Sequence, residues 1–159
     1  MNLWKPGATV AAVIERDGHH LYVREHTRQG VRVNQPAGHL EPGESLEQAV
    51  MRETLEETGW QVRPVALIGV FLARFTWPDD GTDVTYLRFA FACEPVRHLA
   101  DHRLDPEIIE PVWLSPQALR ACIDEHRSRL VLDTLEAHLA GASHPLSLLH
   151  TELSDVRVR

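Results

Sequence analysis

Residues 38–60 read GHLEPGESLEQAVMRETLEETGW, and the fold is decided within that stretch. Glu41-Pro42-Gly43-Glu44 is a turn. Ser45 with Gln48 three residues later forms a capping box, which predicts a helix opening there. The helix runs to Thr58, with Gly59 as its C-terminal stop. Advancing about 100° per residue from Leu46 puts Ala49 near 300° and Val50 near 40°, an inward apolar face. The next turns put Glu53 (about 340°), Glu56 (about 280°) and Glu57 (about 20°) on that same face. Met51 and Leu55 lie opposite, so the helix is expected to be covered on more than one side.

Carboxylates at i, i+3 and i+4 repel one another, and anions near a helix C-terminus are disfavoured by the macrodipole. A solvated acidic face is the competing explanation, but the inward register of Leu46, Ala49 and Val50 argues against it. The balance points to a partner of high positive charge, and hard oxygen ligands suit Mg²⁺, with Mn²⁺ as a substitute. Arg52 can pair with Glu56 or buttress a neighbouring carboxylate, but one arginine cannot neutralise three.

The stretch resembles the Nudix box, G-x5-E-x7-R-E-U-x-E-E-x-G-U, where U is bulky and apolar. Gly38, Glu44, Arg52, Glu53, Glu56, Glu57 and Gly59 match at the required spacing. Thr54 and Trp60 depart mildly at the U positions, which bears on packing rather than activity. The resemblance implies an α/β fold, an α/β/α sandwich with a mixed β-sheet between helices, and hydrolysis of phosphoanhydride bonds. It implies that Glu53, Glu56 and Glu57 coordinate divalent ions, that the Gly38 carbonyl adds a ligand, and that Arg52 and Glu44 orient the carboxylates. In this family the general base is a box glutamate or an acid on a later loop. Here that loop is residues 105–110, with Glu107 the first candidate and Glu110 the next.

Residues 34–41 (NQPAGHLE), the segment Arg127-Ser128-Arg129-Leu130-Val131 and His144-Pro145-Leu146 resemble the NudJ branch of that family. This implies a phosphatase releasing orthophosphate from thiamine-precursor pyrophosphate, thiamine pyrophosphate and nucleoside di- or triphosphates. The alternative is a pyrophosphohydrolase giving a monophosphate plus pyrophosphate. A non-catalytic ligand sensor is disfavoured by the intact box, and an isomerase of isopentenyl-diphosphate type by the lack of any pattern around Cys93 and Cys122.

Outward from the box, β-rich runs at Ala8–Glu15 and His20–Arg24 flank a hairpin signal at Asp17-Gly18-His19, and residues 30–35 can continue the sheet. Val65–Arg74, Val84–Cys93 and Pro111–Leu114 read as further strands. Ser115-Pro116 starts a helix toward Ile123, and a last helix covers about 128–139 before Gly141. One Nudix domain is expected over 1–141, followed by a tail, 142–159, that is partly packed or disordered.

Several residues carry two readings. His39 can hydrogen-bond a phosphate or a metal-bound water, or serve as a turn residue. Trp77 and Phe75 can stack on a pyrimidine ring, or pack at an edge. Arg24, Arg28, Arg32 and Arg88 are candidates for bidentate phosphate contact, though arginine supplies every cation of the chain except Lys5. The histidines show no zinc-binding spacing, so no zinc site is expected.

The 159 residues carry 16 Lys+Arg against 23 Asp+Glu, a net charge of −7. Residues 38–60 hold six acids and one base, a local charge of −5, which leaves only −2 for the remainder. The acidity therefore excludes a basic nucleic-acid-binding stripe and otherwise marks one segment. Two cysteines outside any C-x-x-C, no apolar run long enough to span a membrane, and Ala8–Ile14 leading directly into Glu15-Arg16-Asp17 suggest a cytoplasmic protein, and the sequence leaves open whether it is a monomer or a homodimer. Its expected partner is a small-molecule pyrophosphate, with no nucleic acid and no membrane.

Overall fold

Ala8 to Ile14 is apolar without alternation because both faces of its strand are covered. In the computed structural model, which describes residues 4–153, this strand is β1 (Gly7–Arg16). It is followed by β2 (His19–Thr27), β3 (Gly30–Asn34), β4 (Ala37–His39), α1 (Leu46–Thr58), β5 (Trp60–Thr76), β6 (Asp83–His98) and β7 (Ile108–Leu114). The chain then forms α2 (Pro116–Ala121) and α3 (Leu130–Leu139), with single 3-10 turns at Ile123–Glu125 and Leu146–Leu148.

The sheet is mixed. β1 runs parallel to β6 and antiparallel to β4, and β5 and β6 form a long antiparallel hairpin. On one face Val10, Ala12 and Ile14 pack with Ala49 and Val50 of α1; on the other Val13, Ile68 and Ala90 meet Ala137 at the end of α3. Helices on both faces of a mixed sheet give the expected α/β/α sandwich. A further cluster of Tyr22, Val33, Leu119, Val131 and Leu135 seats α2 and α3.

β1 and β2 are paired only at Glu15–His20 and Arg16–His19. Beyond that point β1 leaves to join β4 and β6, and β2 leaves to join β3 and β7. This splaying opens the space in which the α1 carboxylates lie.

Several element bounds differ from the sequence reading for identifiable reasons. β5 begins at Trp60 rather than Val65, passing Pro64 with a register shift beside it. An edge strand tolerates proline because the missing N–H is not needed inward. The short β4 carries no periodic signal of its own. α2 ends at Ala121, and the expected turn to Ile123 continues as 3-10 helix.

The expectation that α1 is covered on a second side is not met. Met51 is 44% exposed, and with Leu55, Val62 and Val96 it borders a shallow open groove. The buried stripe instead widens toward Thr54 and Thr58, whose hydroxyls donate to the carbonyls of Val50 and Thr54. Back-bonding to i−4 lets a threonine be buried without an unsatisfied hydroxyl. That also accounts for Thr54 at a position where the motif has an aliphatic residue.

His144 exchanges backbone hydrogen bonds with Leu67, and Leu146 and Leu149 pack on the core. The part of the expected tail after residue 153 lies outside the described residues. Among the described residues no helix is long and apolar enough to cross a membrane.

Candidate active site

The caps place the carboxylates. Ser45 accepts from the Gln48 N–H while the Gln48 side chain accepts from the Ser45 N–H, and Gly59 adopts φ 73° as its N–H donates to Leu55 O. With both ends of α1 fixed, Glu53, Glu56 and Glu57 project from its last turns toward β4 and the gap between β1 and β2.

Arg52 organises this group. Its Nε donates to Glu44 (3.0 Å), Nη1 donates to Glu53 (2.9 Å) and Glu56 (3.0 Å), and Nη2 donates to Glu44 (2.8 Å) and the His39 carbonyl (3.0 Å). All five guanidinium N–H groups are thus used, which only the planar fork of arginine permits. The charge-assisted bonds from Arg52 hold the Glu44 carboxyl below its ordinary range. Glu44 stands behind Arg52 and does not line the cleft; it positions the arginine.

Glu53 is 8% exposed and lies against Gly38, where any β-carbon would overlap its carboxylate. Glu57 turns inward and accepts a hydrogen bond from the Ala37 N–H (2.9 Å). Burial pushes its carboxyl up to about 9, with Glu25, Glu53 and Asp105 adding repulsion. Burial likewise raises Glu53 and Glu25, each opposed by an arginine, Arg52 and Arg127 respectively.

Glu53, Glu56 and Asp105 bring carboxylate oxygens within 4.8 Å of one another. Asp105 is tied to α1 by its own backbone N–H, which donates to Glu56 O (3.0 Å). These acids open onto a cleft of about 1110 Å³ that Gly38, His39, Arg52, Glu57, Glu107, Arg28, Trp77 and Arg88 also line.

Two of the predicted residues, Arg32 and Glu110, lie elsewhere. Arg32 bonds the Val31 carbonyl outside the cleft, and Glu110 pairs with Arg24, which also holds Glu125. Arg28 lines the cleft but is engaged by Asp79 (2.6 Å) and Asp80 (2.8 Å), with its guanidinium 4.7 Å from the Trp77 ring. Arg88 is buried; its Nη atoms donate to Gln35 and Asn34, while Nε has no partner. Burial lowers its pKa to about 10, with Glu25 and Glu57 opposing, so it stays cationic at neutral pH.

Two acids escaped the sequence reading. Glu25 shares a strand face with Leu21 and Val23, but His20 and Tyr22 on the other face are buried as well, so alternation along β2 gives no signal that singles it out. Asp105 belongs to the loop whose glutamates were preferred. Its place beside Glu56 depends on how that loop meets α1, which spacing along the chain does not encode.

Comparison with known proteins agrees with this geometry. The sequence model of the NUDIX domain matches residues 4–134. The chain belongs to the Nudix family. It is 33% identical to "Phosphatase NudJ" of Escherichia coli (strain K12) over 149 residues, 92% of each chain. A NUDIX hydrolase from Nitrosomonas europaea shares 43% identity and superposes with a TM-score of 0.87, covering 95% of this chain and all of its own. The MutT protein from Methanosarcina mazei Go1 shares 25% identity with a TM-score of 0.66, covering 87% and 98%. This Nudix protein is therefore a hydrolase of phosphoanhydride bonds, and its box residues meet as one constellation: Arg52 at the hub, Glu44 behind it, and Glu53 seated on Gly38.

Proposed function

We propose that this Nudix hydrolase releases orthophosphate from small-molecule pyrophosphates, thiamine-type and nucleoside di- or triphosphates among them, with Mg²⁺ as cofactor. The observation that carries the reading is the oxygen-only cluster of Glu53, Glu56 and Asp105 opening onto a cleft whose wall also holds a buried arginine with an unpartnered N–H. The donor set suits a hard divalent cation. Glu53, Glu56, Glu57 and Asp105 would hold it. When bound, the ion screens the diphosphate charge and lowers the pKa of the attacking water.

The chain's own residues do the rest. Arg52 holds Glu53 and Glu56 in one orientation. Arg88, a buried cation at the cleft wall, would attract the substrate's phosphate groups. Glu107, on the cleft wall, is the candidate to take a proton from the attacking water. Trp77, with Phe75 edge-on at 5.3 Å, offers a ring face to the organic end of the substrate. His39, edge-on to Tyr86 on the cleft wall, would donate to a phosphate. The similarity to the NudJ phosphatase supports terminal cleavage.

Product analysis tests this reading. Incubation with thiamine pyrophosphate or a nucleoside diphosphate and Mg²⁺ is expected to release orthophosphate and the corresponding monophosphate. A nucleoside triphosphate yielding pyrophosphate plus monophosphate would place cleavage at the inner bond instead.

A pH dependence also follows. Glu57 rises from an ordinary 4.5 to about 9 in the metal-free fold, and Glu53 and Glu25 shift in the same direction. The folded state then holds more protons than the unfolded chain between those values, so stability falls as pH rises. The melting temperature of chelator-treated protein is expected to decline from pH 5 toward pH 9. Added Mg²⁺ reverses the decline, most strongly at the alkaline end, because it binds deprotonated carboxylates. A metal-free melting temperature that rises across this range would contradict the burial of Glu57 as an acid.

A further inference from the structure

At the hairpin end of the sheet, on the side away from the cleft, lies a second group of metal-ligating side chains that hydrolysis does not use. Glu15, the penultimate residue of β1, and His20, the second of β2, are cross-strand partners; His138 comes from the last turn of α3. Their ligand atoms lie within 4.8 Å of one another: His20 Nε2 stands 3.8 Å, and His138 Nε2 4.0 Å, from the same Glu15 oxygen. Glu15 is six residues along β1 from Thr9 of the cleft wall, about 20 Å away at the rise of a strand.

His20 makes this more than a chance grouping. It is 2% exposed, and neither ring nitrogen has a hydrogen-bond partner. Buried polar groups are ordinarily satisfied, and an orphaned imidazole aimed at a carboxylate and a second imidazole calls for an occupant. The two rings stand edge to face, with centroids 5.8 Å apart, so they do not hydrogen-bond each other. Unlike His20, Glu15 and His138 are partly open to solvent, with side-chain exposures of 53% and 25%.

We propose that Glu15, His20 and His138 form a binding site for a borderline divalent transition cation of the Zn²⁺ class, separate from the catalytic carboxylates. Two imidazoles and one carboxylate suit such an ion and not Mg²⁺. Tetrahedral ligands at Zn–N and Zn–O distances stand about 3.3 Å apart. The two separations from Glu15 therefore need to close by about 0.5 and 0.7 Å, within reach of the exposed Glu15 side chain. Water completes the shell on the open side. The C-terminal end of α3 carries partial negative charge, which favours a cation beside His138. The ion would join the end of α3 to the β1–β2 hairpin. The histidine spacing hides the site, because its ligands are separated by five residues and then by 118.

Equilibrium competition against a colorimetric chelator tests the proposal on the full chain, with millimolar Mg²⁺ present to occupy the carboxylate cluster. One equivalent of Zn²⁺ is expected to bind, and Co²⁺ in its place is expected to show the visible bands of a four-coordinate ion. His138→Ala, at a solvent-facing helix end, should weaken Zn²⁺ binding by about 100-fold or more, beyond what loss of an outer-shell partner costs. Glu15→Gln should weaken it as well. Glu56→Gln should leave Zn²⁺ binding unchanged, and His138→Ala should leave hydrolysis with Mg²⁺ unchanged. No stoichiometric binding, wild-type affinity in His138→Ala, or loss of binding in Glu56→Gln would each overturn the assignment.

Discussion

Glu57→Gln lowers kcat/KM at saturating Mg²⁺ by about 10³-fold, roughly 4 kcal/mol of transition-state stabilisation, yet leaves metal-free stability at pH 7 unchanged. The two halves have one cause. With its pKa near 9, the buried Glu57 is a neutral acid in the metal-free fold at pH 7. A glutamine is neutral too, and its amide oxygen can accept the same hydrogen bond from the Ala37 N–H. Nothing is lost until a cation calls for the carboxylate. The substitution should therefore also flatten the pH dependence of metal-free stability and weaken stabilisation by Mg²⁺. Steady-state kinetics and thermal melts with and without Mg²⁺ check both halves. Full activity in this variant would remove Glu57 from the proposed ligand set. Destabilisation at pH 7 in the absence of metal would show that the carboxylate is charged there.

Gly38→Ala is expected to cut activity by about 100-fold or more and to destabilise the fold by about 1–3 kcal/mol, the usual cost of overpacking. At a glycine of negative φ, alanine ordinarily stabilises slightly by restricting the unfolded chain. Here the sign reverses because the new methyl would overlap the Glu53 carboxylate. Neither partner can retreat. β4 is held to β1 through the Val10–Gly38 pairing and the Leu40 N–H bond to Ala8 O, and Arg52 clamps Glu53. In the double variant with Glu53→Ala, stability is expected to recover while activity stays lost. Denaturant titrations of the two single variants and the double variant measure that coupling directly. Additive destabilisation would mean that Gly38 is needed for some other reason than room for Glu53.

Local chemistry was readable and remote contact was not. The capping box at Ser45 and Gln48 and the stop at Gly59 are short-range devices, so α1 was legible from end to end. The face carrying Glu53, Glu56 and Glu57 follows from helical period once those ends are known. By contrast, Thr54 and Thr58 look polar in a one-dimensional pattern and are buried, because their hydroxyls are satisfied within the helix. The arginines show the same division. Composition alone could not separate Arg88, drawn into the cleft beside Gln35 and Asn34, from Arg32 and Arg24, which point elsewhere.

The sequence by itself determined the carboxylate-bearing helix, the family to which it belongs and the type of reaction, because these rest on residues within one 23-residue stretch whose geometry is set by a single helix. Only the tertiary structure decided which distant acids join that helix: Asp105 through a loop bonded to Glu56, and Glu25 through the strand that splays away from β1. It alone brought Glu15, His20 and His138 together at the opposite end of the sheet. Helical period is written in the order of residues. Which strand end meets which helix end is settled by packing both faces of β1, and the chemistry at those meeting points exists only after that packing is complete.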